Sequence, residues 1–267
     1  MTTQNHPPMT ITLGYDLPFR ANAFTTTDDV LRIHVRCKPG NPSEALLQVQ
    51  THVATFLDAA LFGMGAGSRV PPRLDRRTID DVLHEVTHAA EHATTLEAPV
   101  IVDPSYVTVL LHKLLGLSEL VAIDEVTVEL PGLSATRQPI PIHRGDRSEL
   151  PEIHLPLPFT LADERSGCDD GCMLSLRLAE PPTEPKLEVL REALGVWLAQ
   201  ALQGGFIQPP MGPDDYFVSA DDIEVHDDEV TWVLENDDIA QDGINGVVNF
   251  LAAYHLQMAA LGEVSIE

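Results

Sequence analysis

Phe56-Leu57-Asp58-Ala59-Ala60-Leu61-Phe62-Gly63 recurs as Trp197-Leu198-Ala199-Gln200-Ala201-Leu202-Gln203-Gly204, 141 positions further on. An aromatic residue, two leucines, an alanine and a closing glycine keep their places. Other echoes follow in the same order. Leu17-Pro18-Phe19 returns as Leu157-Pro158-Phe159, an offset of 140. Asp28-Asp29 returns as Asp169-Asp170, and Asp80-Asp81-Val82 as Asp221-Asp222-Ile223, both at 141. Glu125-Val126-Thr127-Val128-Glu129 returns as Glu263-Val264-Ser265-Ile266-Glu267, at 138. Any one pair is weak, but five in one order at a nearly constant offset point to an internal duplication. The expected units are 1–135 and 152–267, joined by a proline-rich linker over 136–151.

Each unit opens on an alternating segment: Leu13, Tyr15, Leu17 and Phe19 in the first, Ile153, Leu155, Leu157 and Phe159 in the second. Period two predicts a strand, and the prolines make it an edge strand. A polar loop should follow, then a strand at 31–36 and at 174–178. Long helices are expected over 44–62 and 186–203, with Ser43 as N-cap of the first and Gly63 and Gly204 past the ends. The second unit continues with a hairpin, 223–226 and 230–234, a helix over 244–261 and a strand over 264–266. The first should match it with a strand near 100–102, a helix near 105–116 and a strand over 122–128. The fold class is therefore α+β. The expected architecture is a duplicated ferredoxin-like β-α-β-β-α-β unit, each copy with an extra leading edge strand, packed pseudo-symmetrically.

Charge is the second strong signal. The formal net charge is −25. Residues 1–140 carry 10 Lys and Arg against 16 Asp and Glu, while 141–267 carry 6 against 25. No Lys or Arg follows Arg191, and twelve acids fall within 214–242. An acidic surface keeps a protein soluble, but so local an excess also suits a basic partner. The candidate contact residues are Asp214, Asp215, Asp221, Asp222, Glu224, Asp227, Asp228, Glu229, Asp237 and Asp238. Direct nucleic-acid binding needs Lys and Arg and is not expected.

One stretch matches a catalytic signature, His84-Glu85-Val86-Thr87-His88. On a helix, residues four apart share a face, so two imidazoles could hold zinc while Glu85 polarises a bound water as general base. His92, one turn on, or a downstream acid such as Glu119 or Glu125 would have to supply the third ligand. Thr78 as N-cap and apolar residues opposite the histidines favour a helix, whereas the 141 register sets the stretch against strand and turn residues. The second unit holds no trace of the motif.

Other motifs are weaker. Gly63-x-Gly65-x-Gly67 follows a helix rather than a strand, which reads as a helix stop, not a phosphate loop. Cys168 and Cys172 lack metal-pair spacing, and three cysteines give no disulfide framework. The amino terminus has no apolar signal core, and no run is long enough to span a bilayer. The expectation is a cytoplasmic, non-enzymatic interaction protein without a cofactor or a membrane partner. It would bind, and by compositional analogy neutralise, a basic protein, as an immunity protein or nucleic-acid mimic does. The alternative is a zinc hydrolase built on His84, Glu85, His88 and His92.

Overall fold

The structure is a computed structural model that describes residues 9–75, 92–132, 136–145, 152–164, 172–206, 218–236 and 241–267. The strands are β1 (Ile11–Leu13), β2 (Arg20–Thr26), β3 (Leu31–Cys37), β4 (Ala93–Ala98), β5 (Ile123–Pro131), β6 (Gln138–Ile140), β7 (Ile142–Arg144), β8 (Thr160–Asp163), β9 (Cys172–Leu178), β10 (Val218–Ala220), β11 (Glu224–His226), β12 (Glu229–Asn236) and β13 (Leu261–Ile266). The helices are α1 (Ser43–Leu61), α2 (Val107–Leu117), α3 (Glu184–Leu202) and α4 (Gln241–Gln257). A 3-10 turn, Pro104–Tyr106, leads into α2.

The result is a mixed α+β fold, with no closed barrel among the described residues. One sheet has the order β4-β3-β5-β2-β6. The other has the order β10-β12-β9-β13-β8, with β11 also on β12, and β1 and β7 form a separate pair. In the first sheet β3 runs antiparallel to β5 and β4, while β2 runs parallel to β5. In the second, β9 runs antiparallel to β13 and β12, while β8 runs parallel to β13.

Alternation decides which face of each sheet is covered. Leu31, Ile33, Val35 and Cys37 of β3 are buried, as are Cys172, Leu174, Leu176 and Leu178 of β9. Arg32, His34 and Arg36 take the other face of the first sheet, because successive side chains on a strand point to opposite sides. The helices close the inner faces over one contiguous core that draws on both sheets. Phe56 of α1 stacks on Tyr106, Phe62 meets Phe250 of α4 edge-on, and Trp197 of α3 packs against Phe206 and Trp232. Phe56 and Trp197 are fully buried, each contributing about 1.5–3 kcal/mol by transfer from water.

Both long helices begin and end as expected to within two residues. Gly63 and Gly204 adopt φ of 86° and 75° past their ends, where a side chain would be strained. Ser43 is not the N-cap. It is the first helical residue, Pro42 precedes it in extended conformation, and no side chain caps the helix.

Two sequence expectations give way. The strands predicted over 13–19 and 153–159 shrink or vanish: only Ile11–Leu13 remains of the first, and none of 153–159 is strand. Pro18, Pro156 and Pro158 each remove a backbone donor, so pairing cannot run through them. The paired strand starts just afterwards, at Arg20 and at Thr160, where a polar loop was expected. Residues 100–102 are not a strand. Asp103 caps the 3-10 turn through its side chain, and Pro104 stops strand pairing there. The stretch 136–151 holds β6 on the β2 edge and β7 beside β1. No helix among the described residues is long and apolar enough to cross a membrane.

Candidate functional site: an acidic hairpin and a buried cluster of bases

The acidic residues gather where β10, β11 and β12 meet. Val230, Trp232 and Leu234 of β12 point into the core and fix its register against β9. β11 folds back on it with Glu224 opposite Thr231 and His226 opposite Glu229. Two residues, Asp227 and Asp228, make the turn. Asp227 sits at φ 55°, a conformation that aspartate tolerates better than most side chains. The Asp228 carbonyl accepts from Leu178 N at 2.8 Å, and the Asp221 carbonyl accepts from Trp232 Nε1 at 3.0 Å. Backbone anchors thus hold the acids while their carboxylates face water.

Asp221, Asp222, Glu224, Asp227 and Asp228 are exposed, and Glu229 is half-buried. Among the described residues no Lys or Arg pairs with any of them. Arg177 faces Glu229 across the β9–β12 register and lies 3.8 Å from Glu263. His226, 3.7 Å from Glu224, is highly exposed. Val225 and Val233 add apolar surface, at 37% and 41% exposure.

The first sheet treats its acids differently. Arg32 bridges Glu97 and Glu129 across β4-β3-β5, with Glu129 at 2.8 Å. Arg36 holds Asp124 at 2.8 Å and Glu125 at 2.6 Å, and Arg20 reaches both. Arg137 binds Glu129 at 2.8 Å and lies over the Phe24 ring. The hydrogen bond from Arg36 and its charge hold the Asp124 carboxyl below the usual carboxylate range. Acids on this face are therefore matched locally, and those on the hairpin are not.

Of the remaining candidates, His84, Glu85 and His88 lie outside the described residues, as do Asp214, Asp215, Asp237 and Asp238. The helix-or-strand question over 78–95 falls there for 78–91, while 93–95 belong to strand β4. His92 precedes β4, and its carbonyl accepts from Cys37 N at 2.8 Å. Glu125 is engaged by Arg36 and Asn22, so it belongs to the ion-pair network rather than to a metal site. Glu119 is exposed just beyond α2. Among the described residues no group of three His, Cys, Asp or Glu could hold a metal ion. Cys168 also lies outside them. Cys172 is buried at the start of β9, and burial pushes the Cys37 thiol up.

A second polar cluster went unread in the sequence. Lys113 is 0% exposed, and its Nζ donates to Gln200 Oε1 of α3 at 2.7 Å. The Gln200 amide donates to the Thr55 carbonyl of α1 at 2.9 Å. Burial holds the Lys113 amine well below its ordinary value, partly opposed by Asp58. Beside it, His112 is 4% exposed, packs 5.3 Å from the Tyr15 ring and has no well-formed hydrogen bond at either ring nitrogen. Burial depresses it to about 4, with weak opposition from the Gly205 backbone. His52 of α1 also falls to about 4, through burial and then the Lys113 charge. The missed signal is the apolar run around Lys113. Every residue from Val107 to Leu114 is buried, so α2 has no wet side to which a lysine could turn.

No family model matches the chain, and no curated protein matches it. Among solved structures, the periplasmic protease PqqL from Escherichia coli is similar at 10% identity and a TM-score of 0.19. That match covers 85% of this chain and 33% of PqqL, so the chain spans about a third of the length of that protein. A likeness of that size carries no argument about fold or activity.

Proposed function

We propose that the chain is a non-enzymatic interaction module, and that the edge formed by β10, β11 and β12 binds a basic protein surface. The observation that carries this reading is the contrast between the two sheets. Acids on the first are paired with Arg20, Arg32, Arg36 and Arg137, while Asp221, Asp222, Glu224, Asp227, Asp228 and Glu229 have no Lys or Arg partner among the described residues, and Glu224 has only His226, at 3.7 Å. Uncompensated charge on a rigid hairpin costs self-repulsion in the free protein. A cationic partner relieves that repulsion and is steered to it from a distance. Val225 and Val233 supply apolar contact within the charged rim.

The finer architecture belongs to the same proposal. We read the chain as two ferredoxin-like units, each with a leading edge strand, packed about a pseudo-dyad. Strands β3 and β9, and helices α1 and α3, have equal lengths at an offset of 141. The order β4-β3-β5-β2 parallels β12-β9-β13-β8. Duplication leaves one unit free to keep a balanced surface while the other becomes acidic. Neutralising a basic partner inside a reducing cell fits this distribution, and no observation favours the zinc hydrolase over it.

The test is capture of partners from a lysate at low ionic strength by the native chain and by a variant carrying Asp221→Asn, Asp222→Asn, Asp227→Asn and Asp228→Asn. A basic protein should be retained by the native chain, and its association rate should fall steeply from about 50 mM to about 500 mM salt. Equal retention by the variant, or a rate indifferent to salt, would remove the hairpin from the interface. Metal analysis of the same preparation checks the alternative, which stoichiometric zinc would revive.

A further inference from the structure

Three basic side chains converge on one seam. His52 comes from α1, His112 and Lys113 from α2, and the end of α3 packs against them through Gln200, Gln203 and Gly205. Gln203 Nε2 reaches Thr55 Oγ1 at 3.3 Å, and a side chain at Gly205 would lie against both the Gln200 carbonyl and Lys113. The other titratable groups facing the cluster are Asp58 on α1 and Tyr15 on the segment after β1. One carboxylate therefore faces three bases.

We propose that this seam is an acid-sensitive latch: proton uptake by His52, His112 and Lys113 loosens α2 from α1 and from the end of α3, while both sheets stay folded. The geometry leaves His112 and Lys113 short of acceptors, whereas His52, half-buried, has the Gln48 carbonyl 2.9 Å from its Nδ1. A protonated imidazole has two donors, and His112 has only the Gly205 backbone to offer them to, with no well-formed hydrogen bond at either ring nitrogen. A charged Lys113 has three donors and one side-chain acceptor, Gln200 Oε1. Protonating any of the three adds like charge beside the others in a medium that screens it poorly.

The sign follows from linkage. An unfolded histidine takes up its proton near 6.5, whereas His52 and His112 resist until about 4 in the fold. Between those values the open chain binds more protons, so the closed seam loses stability as pH falls through that window. Lys113 acts in the same direction from further up, since its folded value lies below its ordinary 10.5. Carboxylates titrate mostly lower, so the upper part of the window, about 6.5 to 5, reports the bases.

The experiment is hydrogen–deuterium exchange of the full chain at pH 7.5 and pH 5.0, corrected for the intrinsic pH dependence of exchange. The corrected rate within 43–61, 107–117 and 195–206 should rise roughly tenfold or more at pH 5.0, the factor given by one unit of linked protonation. β3, β5, β9 and β13 should not change. Unchanged protection in the three helical segments, or a loss shared equally by the sheets, overturns the latch. The double variant Lys113→Met, His112→Phe separates titration from mere packing. It should cut the acid effect severalfold, leaving the part that His52 carries, even if its protection at pH 7.5 differs. An acid effect as large as in the native chain overturns the proposal. If the variant does not fold, the native exchange pattern decides alone.

Discussion

Lys113 Nζ lies 2.7 Å from the side-chain oxygen of Gln200, and both residues are 0% exposed. The amide of the same Gln200 donates to Thr55, so two polar side chains join α2, α3 and α1. Each needs the other, because a buried polar group without a partner forfeits its hydration. Gln200→Leu should therefore cost about 3 kcal/mol in urea unfolding, more than the bond itself contributes. The double variant Gln200→Leu, Lys113→Met should recover part of that loss, giving a coupling of roughly 1–2 kcal/mol. Additive losses would show that the two side chains act independently.

Trp197, one turn before Gln200 on α3, anchors the core. It is fully buried, packs against Phe206 and Trp232, and donates Nε1 to the Gly243 carbonyl at 2.7 Å. Trp197→Ala should destabilise the chain by about 3–5 kcal/mol, through lost transfer energy and the cavity left behind. Trp197→Phe keeps part of the ring but loses the bond to the Gly243 carbonyl, which retains its helical donor within α4, and should cost about 1–2 kcal/mol. Because the chain has two tryptophans, this variant also leaves Trp232 as the sole emission reporter for unfolding.

How far the sequence could be read depended on the range of the interactions. Helices α1 and α3 announced themselves through local period and through Gly63 and Gly204, whose positive φ ends them. Strand β2 did not. Its residues Asn22, Thr25 and Thr26 look like loop, and only pairing with the distant β5 and β6 makes them a strand. The acidic hairpin was legible because a turn at Asp227-Asp228 and alternation through Val230, Trp232 and Leu234 are local signals. The base cluster was hidden because Lys113 takes its meaning from Gln200 and from the burial of α2 on every side, and neither is written near it. His112, its neighbour on that helix, is nearly as enclosed, at 4% exposure.

The charge lattice of the first sheet offers a separate test. Arg32 sits between Glu97 and Glu129 on neighbouring strands, with its side chain 31% exposed. Arg32→Met removes the cation and leaves two carboxylates flanking an apolar residue. The expected loss is about 1 kcal/mol at low salt, because Glu97 and the more exposed Asp28 lose their cation while Glu129 keeps Arg137. In about 0.5 M salt the loss should fall by half or more, since partly exposed charges are screened. Denaturant unfolding at the two salt concentrations reads both numbers, and a loss independent of salt would assign Arg32 a packing role instead.

Gly67 and Gly116 should respond oppositely to the same added methyl group. A side chain at Gly67 would meet Asp103 Cβ at 2.7 Å and its carboxylate Oδ2 at 2.9 Å. Asp103 cannot simply yield. Its Oδ1 accepts from the Ser105 backbone and hydroxyl, starting the turn into α2, and its Oδ2 accepts from Arg69 N. The Gly67 carbonyl is itself held by His154 Nδ1 at 2.6 Å, and His154 N donates to Asn249 of α4. Gly67→Ala must displace one of these contacts and should cost about 2–3 kcal/mol, with Tm lowered by roughly 4–12 °C. Gly116 lies in the exposed last turn of α2 with nothing within 4 Å of an added Cβ. There Gly116→Ala lowers the entropy of the unfolded chain and favours helix, so it should gain about 0.5–1 kcal/mol. Gly195, on the exposed side of α3, should behave as Gly116 does. Thermal unfolding of the three variants beside the native chain checks the signs. A neutral Gly67→Ala would show that the 63–70 loop moves freely past Asp103, which the network through Ser105, Arg69, His154 and Asn249 argues against.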